Sequence, residues 1–378
     1  MRIRRVVFWS HLVTGVAAGL VILVMSVTGA LLAFETQITR WADPKVTPAA
    51  AMLPAEALGA IALAESGGKA STLTLSADAT RPAAAGWGRG EQILLDPYTG
   101  AALGAGPEGV HAFFGAVTQI HRWLVPLFDR QTGGAITGAA NLLFLFLLVS
   151  GVVLWWPRAW KARLLRNQIL FRHGLPNAKA RDYNWHHVLA SWAAIPLVLI
   201  VLSGVVISYP WASRLVFAAY GETASAGGGR PGGAPGGGAP AVIAPGVGLQ
   251  AALDNAASQV PDWNRLTLTL PKAGDDKITV MADTGTGHQP ARQTTLTFAA
   301  TDGTLLGQKG IADQTPATRA RIWLRFVHTG EVYGVVGQAI AALASLAAAV
   351  LVWTGLALAW RRLIRPLYVR RPTMASGR

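Results

Sequence analysis

The sequence predicts an all-α transmembrane four-helix bundle carrying two small outer α+β modules, the whole internally duplicated. Three observations predict it. Residues 6–34, 131–157, 183–213 and 332–360 contain no Asp, Glu, Lys or Arg, and each is longer than the ~20 apolar residues that cross a bilayer. The segments between these spans alternate between short and basic and long and nearly neutral. The same residue spacings recur in both halves of the chain.

The net charge of +14 would suggest nucleic acid, but its distribution argues otherwise. Residues 1–5, 158–182 and 361–378 hold 16 of the 33 Lys and Arg and a single acid, Asp182. The segments 35–130 and 214–331 hold the other 17 bases against 18 acids. Basic loops stay in the cytoplasm. The reading is therefore a cytoplasmic loop at 158–182, a cytoplasmic tail at 361–378, an inward-facing N-terminus and two outward segments. The surplus charge sets topology and implies no nucleic-acid partner. The first span reads as retained, since 29 uncharged residues exceed the ~7–15 of a signal-peptide core. There is no cysteine, which excludes disulfides, thiolate clusters and covalent haem attachment.

Each element follows from local pattern. His11 stands 18 residues before Gly29, and His186 stands 18 before Gly204; each glycine follows a small hydroxyl residue, Thr28 or Ser203. In the second and fourth spans, Ser150-Gly151 and Thr354-Gly355 each precede a tryptophan five residues after the glycine, Trp156 and Trp360. His121 lies 30 residues before Gly151 and His328 lies 27 before Gly355. In the outer segments, 54–65 and 248–260 read as short amphipathic helices. Residues 93–100 and 296–303 read as a strand entering a turn with Asp and Gly. Each half begins and ends inside, so the halves relate by a parallel twofold along the membrane normal. Residues 227–240, nearly all Gly, Pro and Ala, read as a linker or exposed loop.

The histidines carry the chemistry. An imidazole at a membrane boundary is costly unless hydrated or bound. His11 and His186 share the inner boundary, and His121 and His328 the outer one. Two imidazoles at one depth on neighbouring helices can supply both axial ligands of a haem. Without cysteine the haem is b-type, and two pairs give two haems. Gly15, Ala18, Gly19 and Ala190 inside, and Gly330, Gly334 and Gly337 outside, are expected to leave room for a flat macrocycle. A lone interfacial histidine is more often a headgroup contact; the matched set is what favours ligation. His187 competes with His186, but adjacent helical residues point ~100° apart, and the repeat spacing selects His186. His187 then becomes a neighbouring or headgroup contact. His111 is an alternative outer ligand, and His173 and His288 show no pattern. Arg122 and Arg325 beside the outer pair, and Arg4, Arg5 and Arg181 beside the inner pair, could meet haem propionates or lipid phosphates. The tryptophans read mainly as an aromatic belt. Phe144 and Phe146 lie between the two levels, as packing or as intermediates. No Walker motif, dinucleotide fingerprint or catalytic triad is present, so catalytic residues are not identified.

Several short runs resemble the PepSY-associated transmembrane helix family, which includes ferric-siderophore reductases of the bacterial inner membrane. They are Ser10–Gly15, Gln119–Leu124, Gly151 with Trp155–Arg158, Asn184–Leu189, Phe326–Gly330 and Tyr333-Gly334. The turns at Asp96–Gly100 and Thr301–Gly303 resemble two PepSY-like modules. The likeness covers the chain apart from the Gly/Pro insert, and departs at His187, where the family more often has a basic or polar residue. It implies periplasmic modules at 35–130 and 214–331, two haems b, and electron transfer from a quinol or cytoplasmic donor to a ferric-siderophore or other ferric chelate outside. Two alternatives stay open: a quinol-linked haem electron carrier with another acceptor, and a non-redox membrane protein whose modules bind a peptide, protease or chelate.

Overall fold

The structure is a computed structural model and describes residues 2–88, 91–157, 161–223, 241 and 248–369. The Gly/Pro-rich segment 227–240 and the end of the tail, 370–378, lie outside the described residues. In chain order the first half contains α1 (Arg2–Leu32), α2 (Glu35–Ala42), α3 (Ala55–Glu65), β1 (Thr72–Ser76), β2 (Ala83–Trp87), β3 (Glu91–Leu95), β4 (Ala102–Gly104), α4 (Glu108–Trp123) and α5 (Arg130–Trp155). After α6 (Ala162–Ile169), the second half contains α7 (Ala178–Ser208), α8 (Pro210–Ala219), α9 (Leu249–Gln259), β5 (Arg265–Thr269), β6 (Lys277–Asp283), β7 (Gln293–Ala299), β8 (Leu305–Gly310), α10 (Pro316–Thr329), α11 (Gly334–Leu363) and α12 (Arg365–Val369).

Four helical stretches are long and apolar enough to cross a membrane: Arg2–Leu32, Arg130–Trp155, Ala178–Ser208 and Glu331–Tyr368. They pack in a ring in which α1 and α7 each touch both α5 and α11. In lipid, helices associate through close packing of small residues, and the interior is built that way. Ala18, Ile22 and Ala140 form one buried cluster with Phe144 and Leu147 beside them. Ala193, Leu197, Ala344 and Ala348 form its counterpart, flanked by Phe144 and Leu351. Ala18 corresponds to Ala193, Ile22 to Leu197 and Ala140 to Ala344 under the repeat spacing. The duplication is therefore visible in the packing. Phe144 has Ala348 as its counterpart, a large residue against a small one at the midplane.

The all-α description is overturned. The outer segments form an eight-stranded antiparallel sheet, ordered β4-β3-β2-β1-β5-β6-β7-β8. They are also not two separate modules. Each half contributes four strands, and the halves join where β1 pairs with β5, Leu73 opposite Leu268. A four-stranded sheet alone would leave β1 or β5 as a bare edge of unpaired N–H and C=O groups. Joining the edges removes both. Helices α3 and α9 pack across the seam, so Leu58, Leu253, Leu73, Leu268, Val280 and Phe298 belong to one buried core. Alternation along β1 sends Leu73 into that core and Thr74 to the face turned toward the bundle.

The two hairpin turns are built alike. Asp96 Oδ1 accepts from Tyr98 N at 2.8 Å, and Asp302 Oδ1 accepts from Thr304 N at 3.0 Å. Gly303 has φ +71°, and a Cβ there would lie 2.8 Å from Ala251 Cβ on α9. Only glycine takes that left-handed conformation pressed against a helix.

Candidate functional site

The outer histidines are not carried on the spans. His121 ends α4 and His328 ends α10, and each of these helices packs on the span before it and turns sharply into the span after it. Glycines make the turn tight. A Cβ at Gly133 would stand 1.7 Å from the Trp123 carbonyl oxygen, and one at Gly337 would stand 2.2 Å from that of Gly330. Gly330 and Gly337 therefore close a helix corner; they do not clear space for a macrocycle, as the sequence had suggested. Gly19 likewise packs on α11, where an added Cβ would lie 3.3 Å from Leu356.

All four histidines share one local geometry. His11 Nδ1 lies 2.8 Å from Ser150 Oγ, and His121 Nδ1 lies 2.9 Å from Thr28 Oγ1. His186 Nδ1 lies 3.0 Å from Thr354 Oγ1, and His328 Nδ1 lies 3.2 Å from Ser203 Oγ. Each hydroxyl donates its own proton to a carbonyl one turn back in its helix: Ser150 to Phe146 at 2.7 Å, Thr28 to Val24 at 2.6 Å, Thr354 to Val350 at 2.8 Å and Ser203 to Leu199 at 2.7 Å. With that proton committed, the oxygen accepts from the imidazole. The network assigns the proton to Nδ1 and leaves Nε2 as the lone-pair nitrogen. His328 makes this plainest, because its Nδ1 also donates to the Ile200 carbonyl at 2.8 Å.

The glycine after each hydroxyl completes the arrangement. A Cβ at Gly29 would lie 3.3 Å from His121 Cε1, at Gly151 3.6 Å from His11 Cε1, at Gly204 3.2 Å from His328 Cε1 and at Gly355 3.4 Å from His186 Cε1. Each imidazole thus lies on a bare stretch of helix, held at Nδ1. A buried hydrogen bond to the non-ligating nitrogen is the usual way a metal-binding histidine is oriented.

The pairs form two levels. His11 and His186 come from α1 and α7, which stand across the ring from one another and are not neighbours as the topology had suggested. The outer rings of His121 and His328 have centroids 6.5 Å apart with planes at 61°. Metal–nitrogen bonds of about 2 Å on opposite sides of one ion, with about 1 Å more from nitrogen to ring centre, would set two imidazole centroids about 6 Å apart. The separation of the outer rings is therefore close to that of two imidazoles sharing an ion. Burial pushes the His121 imidazole down to about 4, with His328 beside it adding to the shift, so the ring is neutral and keeps its lone pair. Among the described residues no cluster of three or more His, Asp or Glu could hold a metal. Two imidazoles per level therefore suit a group that brings its own equatorial ligands, as haem does.

The remaining residues fall into place around these levels. His187 donates from Nδ1 to the Tyr183 carbonyl at 2.9 Å and lies 4.1 Å from the Tyr183 ring, so His186 and not His187 joins the repeated pattern. His111, Arg122 and Arg325 line a cavity of about 1290 Å³ that runs from the outer pair to the underside of the sheet. Arg122 lies 4.4 Å over the Trp123 ring, and Arg325 lies 5.6 Å over Phe326. His288 lines the same cavity and bonds Glu331 Oε1 at 2.6 Å. His173 is exposed. At the inner end, Arg4 caps the last carbonyls of α5 at Leu154 and Trp156. Arg181 pairs with the buried Asp182 at 3.0 Å, and Asp182 reaches Arg361 at 2.5 Å. Trp155 Nε1 is buried without a partner, unlike a belt tryptophan. Sequence reasoning noticed the hydroxyl–glycine pairs as repeat markers but not as the histidines' partners. It missed Arg40, Arg81 and Arg265 on the cavity wall altogether.

No curated protein matches the chain. Residues 8–362 match the PepSY-associated TM region family, a range that takes in most or all of each apolar helix, both hairpin turns and all four patterned histidines. This membrane protein belongs to the PepSY-associated TM region family.

Proposed function

We propose that this chain is a di-haem b reductase of the bacterial inner membrane, with both termini cytoplasmic and residues 35–130 and 214–331 periplasmic. Electrons enter on the inner side from a quinol or cytoplasmic donor. They leave on the outer side to a ferric-siderophore or related ferric chelate, one electron per iron, and ferrous iron is released. The observation that carries this reading is the fourfold set of histidine, hydroxyl and glycine. One imidazole anchored this way would be an ordinary buried histidine; four, with the His121 and His328 rings 6.5 Å apart, favour a ligand set.

His11 and His186 would hold the inner haem, and His121 and His328 the outer one. Haem b supplies one-electron chemistry between ferric and ferrous states. The chain's own contribution is to present four neutral imidazoles with Nε2 free, each fixed by a helix hydroxyl. Below the cavity the bundle closes on the buried Ala18, Ala193 and Ala344. The cavity beneath the sheet gives a guest access to the outer level. Its volume of about 1290 Å³ exceeds the ~300–1,000 Å³ of an ordinary small-molecule pocket, enough for a cofactor and a second molecule. Ferrous iron binds hard oxygen ligands less tightly than ferric iron, so reduction alone would loosen the chelate.

The test is spectroscopic. Purified protein should show b-type bands at two haems per chain, and ferric chelates should re-oxidise the reduced protein. Replacing both His121 and His328 by Ala should remove one haem and leave the other. A colourless protein from haem-replete cells, or loss of both haems in that variant, would refute the assignment.

A further inference from the structure

The roof of the outer cavity is cationic in a way the histidine pair does not explain. Arg40 on α2 lines it, and its Nη2 is buried with no hydrogen-bond partner. A buried guanidinium nitrogen left unpaired is rare enough to need an explanation, and a missing anion is the simplest one. Arg265, at the start of β5, lines the same wall and donates to the Thr286 carbonyl at 2.9 Å. The loop is wrapped around that side chain: a Cβ at Gly287 would stand 1.4 Å from Arg265 Nη2. Arg265 is thus held in place, which an incidental surface arginine would not be. Arg81 binds the Arg40 carbonyl and lies 3.6 Å from Asp78 and 3.9 Å from Asp43.

Four of the nearby acids are already engaged, while Glu35 lines the same cavity and Asp283 and Asp43 also act on Arg40. Asp43 and Asp78 face Arg81, and Glu331 is tied to His288 and to Thr329 at 2.8 Å. Asp283, buried beside Arg265, accepts from Gly285 N at 2.6 Å and from Gln293 at 3.1 Å. Burial, then Arg265, pushes the Arg40 guanidinium down to about 10, so it remains charged at neutral pH. The threonine and glutamine side chains of Thr74 and Gln92 on the sheet's underside add neutral polar groups to the wall.

We propose that Arg40 and Arg265 form a carboxylate-recognition site in the cavity roof, and that the ferric chelate admitted there carries carboxylate arms. Guanidinium groups match carboxylates two-pronged. This rests on the reductase reading for the identity of the guest, but the site itself can be tested without redox chemistry. The propionates of a haem held by the outer histidines carry the same chemical group and are the rival source.

The experiment is calorimetric binding of gallium(III) citrate, which cannot be reduced in ferric iron's place, to the full-length protein in lipid nanodiscs. The haem bands are recorded on the same samples. Binding is expected, weakening as salt rises, and Arg40→Gln should weaken it about ten- to a hundredfold. Arg40→Lys, which keeps the charge and loses the fork, should fall between. Haem absorbance per chain should stay unchanged in both variants. Binding equal in wild type and Arg40→Gln, binding indifferent to salt, or no binding at all would overturn the proposal. Loss of one haem in Arg40→Gln would overturn it in favour of the propionates. If Arg40→Gln does not fold, the salt dependence and competition by free citrate on the wild type decide. A colourless protein that still binds gallium citrate through Arg40 would refute the reductase reading and leave this site standing. A haem-loaded protein blind to gallium citrate would do the reverse.

Discussion

On the di-haem reading, replacing Ser150 by Ala should release the inner haem, while replacing Ser203 by Ala should leave the outer one nearly intact. Both changes remove one oxygen from a buried helix face and alter volume little. They differ in what the histidine has left. Among the described contacts, His11 Nδ1 has only Ser150 Oγ, at 2.8 Å. His328 Nδ1 has Ser203 Oγ at 3.2 Å and also the Ile200 carbonyl at 2.8 Å. Stranding a buried N–H costs about 1–3 kcal/mol, and loss of an outer partner of a metal-bound histidine typically weakens the metal about 10- to 100-fold. In Ser150→Ala the imidazole can also turn over or change tautomer, because nothing then fixes the proton on Nδ1. In Ser203→Ala the stronger acceptor remains, so the loss should stay under about 1 kcal/mol. The assay is haem retention: the two b-type bands are followed while apomyoglobin competes for haem, with the reduction potentials titrated in parallel. Ser150→Thr, which restores the oxygen, should rescue the inner site. Equal effects of Ser150→Ala and Ser203→Ala, or no effect of the first, would show that the hydroxyl bonds do not orient the ligands.

Two further outcomes follow from the packing. Gly204→Ala places a Cβ 3.2 Å from His328 Cε1 and 2.9 Å from Asn141 Nδ2, whereas Gly151→Ala meets His11 Cε1 at an ordinary 3.6 Å. The first should cost about 1–3 kcal/mol and shift the outer haem band, the second should be tolerated, and the reverse order would contradict the glycine contacts. Leu268→Ala, at the sheet seam, should cost about 2–5 kcal/mol. It should lower hydrogen-exchange protection in β2 and β3 as well as in β6 and β7, and protection lost from the second half alone would mean that the two halves do not share a core.

What the sequence made legible was whatever depends on one segment at a time. A charge-free run long enough to cross a bilayer needs no partner to be recognised, and neither does a basic loop. The repeat was legible because the His11–Gly29 and His186–Gly204 intervals match. The partners of the histidines were not, since Thr28 and His121 lie on different helices, and only folding α4 back over the bundle brings them together. Gly330 and Gly337 showed small residues near the outer pair, but not that their backbones touch. The sheet was missed as one body because β1 and β5 are far apart in the chain, and each half alone looks like a complete small module. Arg40 was overlooked for a similar reason. In sequence it is one arginine in a short amphipathic segment; its significance comes from Arg265, which arrives from the other half of the protein.

The crossed wiring of the two levels has a mechanical consequence. Helix α1 carries His11 for the inner level and Thr28, which holds His121, for the outer one; α7 carries His186 and Ser203 in the same roles. At 1.5 Å per residue, the interval between His11 and Thr28 sets the two levels roughly 25 Å apart along a single rigid rod. The same interval recurs in α7, where Pro196 lies inside the helix between His186 and Ser203, so α1 is the continuous strut that holds the two levels apart. A protein that moved a ligand across the membrane would need that separation to change; one that moves only electrons is better served by a fixed one. Sites locked at fixed separation keep the protein dipoles around each one constant, and constant surroundings hold a redox centre's potential steady. Two places where the repeat breaks are then informative. Phe144, whose counterpart is Ala348, packs against both buried clusters and lines the outer cavity. Arg40 and Arg265 come one from each half and meet above the outer level only. On the proposed reading, the duplication builds the conductor twice, and its departures from symmetry mark where direction and substrate enter.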